Sequence, residues 1–150
     1  MVMVCNNGSH AEGGAKDTLS NIRATGEFVV NIVNWDLREA MNKTSAPVPR
    51  SVDEMALAGL APAPSRRVKP PRVAAAPANL ECKLIQIVEL PSHIAGHTNT
   101  AIFGEVVAVH ISDAVITNGT VDITKLRPVA RLGGMDYAVV DSVFTMQRPR

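Results

Sequence analysis

Lys16, Asp17 and Thr18 stand together after Gly13, Gly14 and Ala15 and just before the apolar pair Leu19 and Ile22. A cation, a carboxylate and a hydroxyl at the start of a helix can serve two purposes. A helix N-terminus presents unpaired N–H groups and a partial positive charge, so a lysine and a threonine hydroxyl there can hold a phosphate. Asp17 or Thr18 can instead cap the helix and do nothing more. Asp17 weighs against the phosphate seat, because a carboxylate repels an anion unless it turns away as the cap. By themselves the three residues favour the cap.

A second group is the segment Pro128–Val140, PVARLGGMDYAVV, in which Arg131 precedes two glycines and Tyr137, the single tyrosine, follows. Arginine pairs with anions, glycines permit close backbone approach, and tyrosine stacks or hydrogen-bonds. The plainer reading is a hairpin turn with its arginine in solvent. Other chemistry finds little support. His93 and His97 are four apart, but Pro91 and Gly96 make their surroundings a loop, and no HExxH or paired CxxC is present. His10 with Glu12 carries no motif, and His110 reads as a satisfied strand histidine. There is no GxSxG, no cysteine–histidine nucleophile motif, and no phosphate-binding glycine fingerprint. The basic group from Arg66 to Arg72 reads as a solvated loop, and its interleaved prolines without aromatics speak against nucleic-acid binding.

The elements that position these groups come next. The chain has 150 residues, 46% hydrophobic and 19% charged, with a net charge of +1. That suits one domain spanning residues 1–150 and supplies no field for nucleic acid or anionic lipid. Cys5 and Cys82, far apart and without a leader segment, read as free thiols in the cytoplasm. No apolar run approaches the roughly 20 residues of a membrane span. Met1–Cys5 reads as a strand that begins without a polar lead-in, which suggests that something upstream is missing. A helix from Asp17 stops at Thr25-Gly26, and Phe28–Val33 reads as a buried strand. Trp35–Lys43 reads as a short helix, and Ser51–Leu60 as a helix with a Ser51/Glu54 capping box and a Gly59 stop. The prolines of Ala61–Pro77 demand an extended surface loop. Strands follow at Leu80–Leu90, Thr98–Ile111 and Val139–Met146, with a loop at Pro91–His97 and a turn at Asn118-Gly119. Helices early and strands late favour an antiparallel barrel with small helical insertions.

Taken in order, four blocks make a specific pattern: KDTLSNIRATGEFVVNIV, the run from MNKTSAPVPRSVDEM to NLECKL, GEVVAVHISDAVI, and RLGGMDYAVV. Together they closely resemble the flavin reductase-like family, the FMN-binding split barrels, over nearly the whole chain. The resemblance implies a mainly β fold, an antiparallel Greek-key split barrel of six strands with short helical insertions, here shortened at the N-terminus. It implies a homodimer that binds FMN near the subunit interface and passes hydride from NADH or NADPH to flavin, with a flavin-using oxygenase or another electron acceptor as partner. On that pattern Lys16, Asp17 and Thr18 fall at the phosphate side, and Asn42, Thr44 and Ser45 fall in the loop that closes on the flavin. Arg131 and Tyr137 fall near the nicotinamide. The family usually carries two further strands upstream, so the other reading is a non-catalytic remnant that dimerises or binds a partner through an open barrel edge.

Overall fold

The computed structural model describes residues 1–95, 97 and 99–149. Its elements in chain order are β1 (Val2–Asn7), α1 (Asp17–Thr25), β2 (Glu27–Asn31), a 3-10 turn (Trp35–Leu37) that runs into α2 (Arg38–Lys43), α3 (Glu54–Leu57), β3 (Pro62–Ala63) and β4 (Arg72–Val73). Then come β5 (Ala78–Leu90), β6 (Asn99–Ile111), a second 3-10 turn (Asp113–Val115), β7 (Ile116–Thr117), β8 (Thr120–Val121), α4 (Ile123–Leu126), β9 (Val129–Gly133) and β10 (Asp136–Val139).

Two 13-residue strands, β5 and β6, form the spine. Their β-branched content suits a pleated, half-buried surface. β1 adds to β6 and β2 adds to β5, giving an antiparallel sheet in the order β1-β6-β5-β2 that curls into a half-barrel. The chain is mainly β, with an antiparallel split-barrel fold and a few short helices. Bulges at Glu81/Cys82 and Leu84/Gln86 in β5 break the register with β6, and such bulges bend a strand.

The core sits where α1 lies against this sheet. Leu19 and Ile22, three apart on one helix face, pack with Phe28, Cys82 and Ile102. The fit is tight at Gly104, where a Cβ would collide with the Phe28 ring and lie 3.3 Å from the Cβ of Cys82. Gly26 ends α1 in the left-handed conformation (φ 69°) and returns its N–H to the Ile22 carbonyl at 2.8 Å.

Several sequence expectations are corrected. Neither Asp17 nor Thr18 caps α1; Lys16 holds the N-cap position, and no side chain bonds there. α3 is capped by Asp53, which accepts from the N–H groups of Met55 and Ala56, because Asp53 is one residue from the helix and its short carboxylate reaches both. The Ser51/Glu54 box is therefore absent. β2 covers Glu27–Asn31, and only Phe28 in it is buried, since it is an edge strand. The expected strand at Val139–Met146 ends where it should begin: β10 closes at Val139, paired with β9, and residues 140–149 have no ladder partner. The Pro-rich run contains β3 and β4 and buries Val68 and Ala76. It is pinned down by Glu81, a fully buried carboxylate of β5. Glu81 accepts the N–H groups of Arg66 (2.8 Å), Arg67 (2.6 Å) and Val68 (3.2 Å). Gly96 of the expected loop and the expected strand start at Thr98 lie outside the described residues.

Candidate functional site

The eight candidate residues gather in two clefts that meet at Ser45. The first, of about 480 Å³, opens at the N-terminus of α1 and is lined by Lys16, Asp17, Thr18, Thr44 and Ser45 among others. α1 has nine residues, and its first N–H groups, on Asp17, Thr18 and Leu19, meet no acceptor among the described residues. The side chains of Lys16 and Thr18 are also without a partner there. Lys16 is exposed, so its charge is fully available.

Asp17 raised the objection to an anion in this cleft, and its surroundings answer it. The Arg50 guanidinium pairs with the Asp17 carboxylate, and Nε2 of His10 lies 3.7 Å from the other carboxylate oxygen. Arg50 also donates to the Gly13 carbonyl (3.0 Å) and the Ala15 carbonyl (2.8 Å), so it fastens the glycine turn to the helix start. A carboxylate compensated in this way no longer opposes an anion beside Lys16. Sequence reading missed Arg50, which is separated from Asp17 by 33 residues and carries no motif. Its only signal was an arginine next to the proline-rich end of the segment after α2.

Thr44 and Ser45 close the same cleft from the far end of α2. Their hydroxyls donate to the Met41 carbonyl (2.7 Å) and the Asn42 carbonyl (2.6 Å), so they cap the helix and keep only acceptor capacity for a ligand.

The second cleft, of about 360 Å³, holds Asn42, Ser45, Arg131 and Tyr137 with Trp35, Arg38 and Met41. Arg131 and Tyr137 are direct cross-strand partners in the β9–β10 hairpin. The Arg131 guanidinium sits 5.8 Å from the Tyr137 ring centre and donates to the Gly134 carbonyl at 3.1 Å across the turn. Trp35, which the sequence reading counted only as part of a helix, forms the opposite wall. Arg38 lies 3.8 Å and Arg127 5.6 Å from its ring centre. The aromatic walls and the cations over them suit a planar, electron-poor or anionic group.

The remaining candidates resolve simply. His110 bonds Glu81 through Nε2 at 2.5 Å. Burial raises the Glu81 pKa, but the bonds from His110 and from the Arg66, Arg67 and Val68 amides outweigh it and hold the carboxyl at about 2. Both cysteines are free thiols, Cys82 buried and Cys5 exposed. Among the described residues no group of three or more His, Cys, Asp or Glu side chains is placed to hold a metal. No helix there is long and apolar enough to cross a membrane.

The fold is that of an antiparallel β half-barrel, with a cleft at the start of α1 and an aromatic-walled cleft beside it. The chain belongs to the flavin reductase like domain family, whose model matches residues 1–125, a family of flavin-related oxidoreductases. A relative from Halalkalibacterium halodurans, itself uncharacterized, is 34% identical over 95% of this chain and 68% of its own length. Nitrilotriacetate monooxygenase component B from Bacillus cereus superposes with a TM-score of 0.84 at 29% identity, over 96% of this chain and 71% of that one. The 2-nitrobenzoate 2-nitroreductase of Pseudomonas fluorescens gives 0.81 at 26% identity, over 98% and 68%. The chain spans between 55% and 70% of the length of the curated relatives it matches.

Proposed function

We propose that this chain binds FMN and serves as a flavin reductase-type oxidoreductase, passing hydride from NADH or NADPH to flavin in the cytoplasm. The observation that carries the reading is the first cleft. There, among the described residues, an unpaired lysine, an unpaired threonine hydroxyl and open helix N–H groups line one cleft, and of its two carboxylates, Asp17 and Glu54, the one at the helix start is paired with Arg50. That donor set fits the phosphate of a flavin mononucleotide.

In this reading Lys16 and the amides of Asp17 to Leu19 hold the phosphate, Thr18 donates beside them, and Thr44 and Ser45 accept from the sugar-like chain. Asn42 borders the passage to the second cleft. When bound, the flavin supplies the hydride-accepting ring, so the protein needs no acid or base of its own. Trp35 and Tyr137 pack planar groups and exclude water, and Arg131 attracts the anionic end of a pyridine nucleotide, while Arg38 is paired with Glu39 on the same lining. Exposed apolar side chains on the hairpin and beyond it, Leu132, Met135 and Phe144, support a homodimer in which this surface is covered. A flavin-using oxygenase or another acceptor then consumes the reduced flavin.

The test is reconstitution. Protein mixed with FMN and desalted should retain flavin absorbance near one equivalent and oxidise NADH or NADPH. Protein that leaves the column colourless would end the proposal.

A further inference from the structure

A third cleft, of about 350 Å³, lies between the Pro-rich segment and the end of β6 and shares no residue with the other two. Its volume is within the roughly 300–1,000 Å³ of small-molecule sites. Arg66, Arg72, Asn79, His110 and Ser112 supply its polar lining, and no aspartate or glutamate lines it. The carboxylate nearest in the bonding network, Glu81, is used up: its oxygens take three loop amides and His110. None of its bonds goes to an arginine side chain.

Among the described residues neither guanidinium is paired with a carboxylate, and one is held in place. Arg72 donates through Nη1 to the Asn79 amide oxygen (3.3 Å) and through Nε to the Pro64 carbonyl (3.2 Å), both neutral acceptors. Asn79 is itself 1% exposed and locked by its bond to Asn31 at 2.8 Å. The Arg66 side chain has no partner among the described residues, while its backbone N–H is fixed on Glu81. Ser112 accepts from Ala114 N–H and keeps its own proton to donate. A cleft with one anchored and one unpartnered forked cation suits a dianion.

We propose that this cleft is a phosphate site, in which Arg66 and Arg72 hold the group, Ser112 donates to it and His110 forms the wall. The phosphate belongs to free inorganic phosphate or to a phosphate monoester. The inference is independent of the flavin reading.

The test is calorimetric titration of the full chain carrying Lys16→Ala, so that the α1 cleft contributes little, with inorganic phosphate and with adenosine 5′-monophosphate at low salt. Binding should persist in Lys16→Ala and weaken at least tenfold when Arg66→Gln is added, since a charge-assisted bond is lost. Arg66→Gln should leave the melting temperature unchanged, because the side chain it alters is unpartnered. Tighter binding of the nucleotide identifies a monoester as the ligand, and equal or weaker binding identifies free phosphate. Lys16→Ala protein that binds neither compound, or unchanged affinity after Arg66→Gln, would overturn the proposal.

Discussion

The two clefts that meet at Ser45 use their cations in opposite ways. At the start of α1, Lys16 has no partner among the described residues, and the neighbouring arginine, Arg50, is spent on Asp17 and two carbonyls. In the hairpin, Arg131 is spent on its own turn through Gly134 and on the Tyr137 ring. A free charge beside open amides gives up no existing contact when an anion binds, only side-chain freedom. A charge already satisfied must give up contacts first, so the same residue type is worth less to a ligand.

The largest expected break in this contrast is Arg50→Ala. It leaves Asp17 uncompensated beside the proposed phosphate seat and frees the Gly13–Ala15 turn, so FMN affinity should fall by roughly a hundredfold, the joint effect of an unmatched like charge and a loosened anion site. Adding Asp17→Asn should recover part of that loss. An Arg50→Ala protein that binds flavin normally would mean that Asp17 never faced the ligand.

Next in size is Lys16→Ala, which should weaken FMN at least tenfold, the value of one charge-assisted contact. Arg66→Ala, in the separate basic cleft, should not change flavin affinity. Equal dissociation constants for the two variants would reduce Lys16 to a surface charge.

Acid tests the support of the Pro-rich segment, which Glu81 holds down. The folded Glu81 pKa is about 2, below its ordinary 4.5. The unfolded chain therefore binds the proton more readily, and stability from Glu81 is full above about pH 4.5 and is lost as the pH falls toward 2. Melting temperature should drop by several degrees across that window, and Glu81→Gln should flatten the drop while lowering stability at neutral pH. An identical acid profile in the variant would show that other carboxylates govern it.

The smallest effect belongs to Arg131→Ala. An exposed cation–aromatic contact contributes about 0.5–1 kcal/mol, so the hairpin should lose only slight stability. If Arg131 also contacts a pyridine nucleotide, the KM for NADH or NADPH rises while FMN affinity holds. A lowered melting temperature with unchanged KM would confine Arg131 to the turn.

Much of the fold was legible because it rests on local signals. The 3.6-residue spacing of Leu19 and Ile22, the stop at Gly26, the β-branched spine of β5 and β6, and the Asn118-Gly119 turn all appear as read. Asn118 and Gly119 both take positive φ, 50° and 76°, as a two-residue hairpin turn requires. Caps were less legible, because Ser51, Asp53 and Asp17 are all competent and only the chain's entry angle selects among them. The strand expected at Val139–Met146 failed for a similar reason: an apolar run becomes a strand only where a partner edge lies beside it.

By itself the sequence determined the class of fold and the order of the four blocks. Those depend on residue type, short spacing and order along the chain. Tertiary structure alone decided which charges are free. Arg50 reaches Asp17 across 33 residues, and Glu81 draws in the amides of a loop 13 to 15 residues away. Such pairings are set by how the sheet curls and where loops land, and Coulomb energy depends on that distance through space, not on separation along the chain.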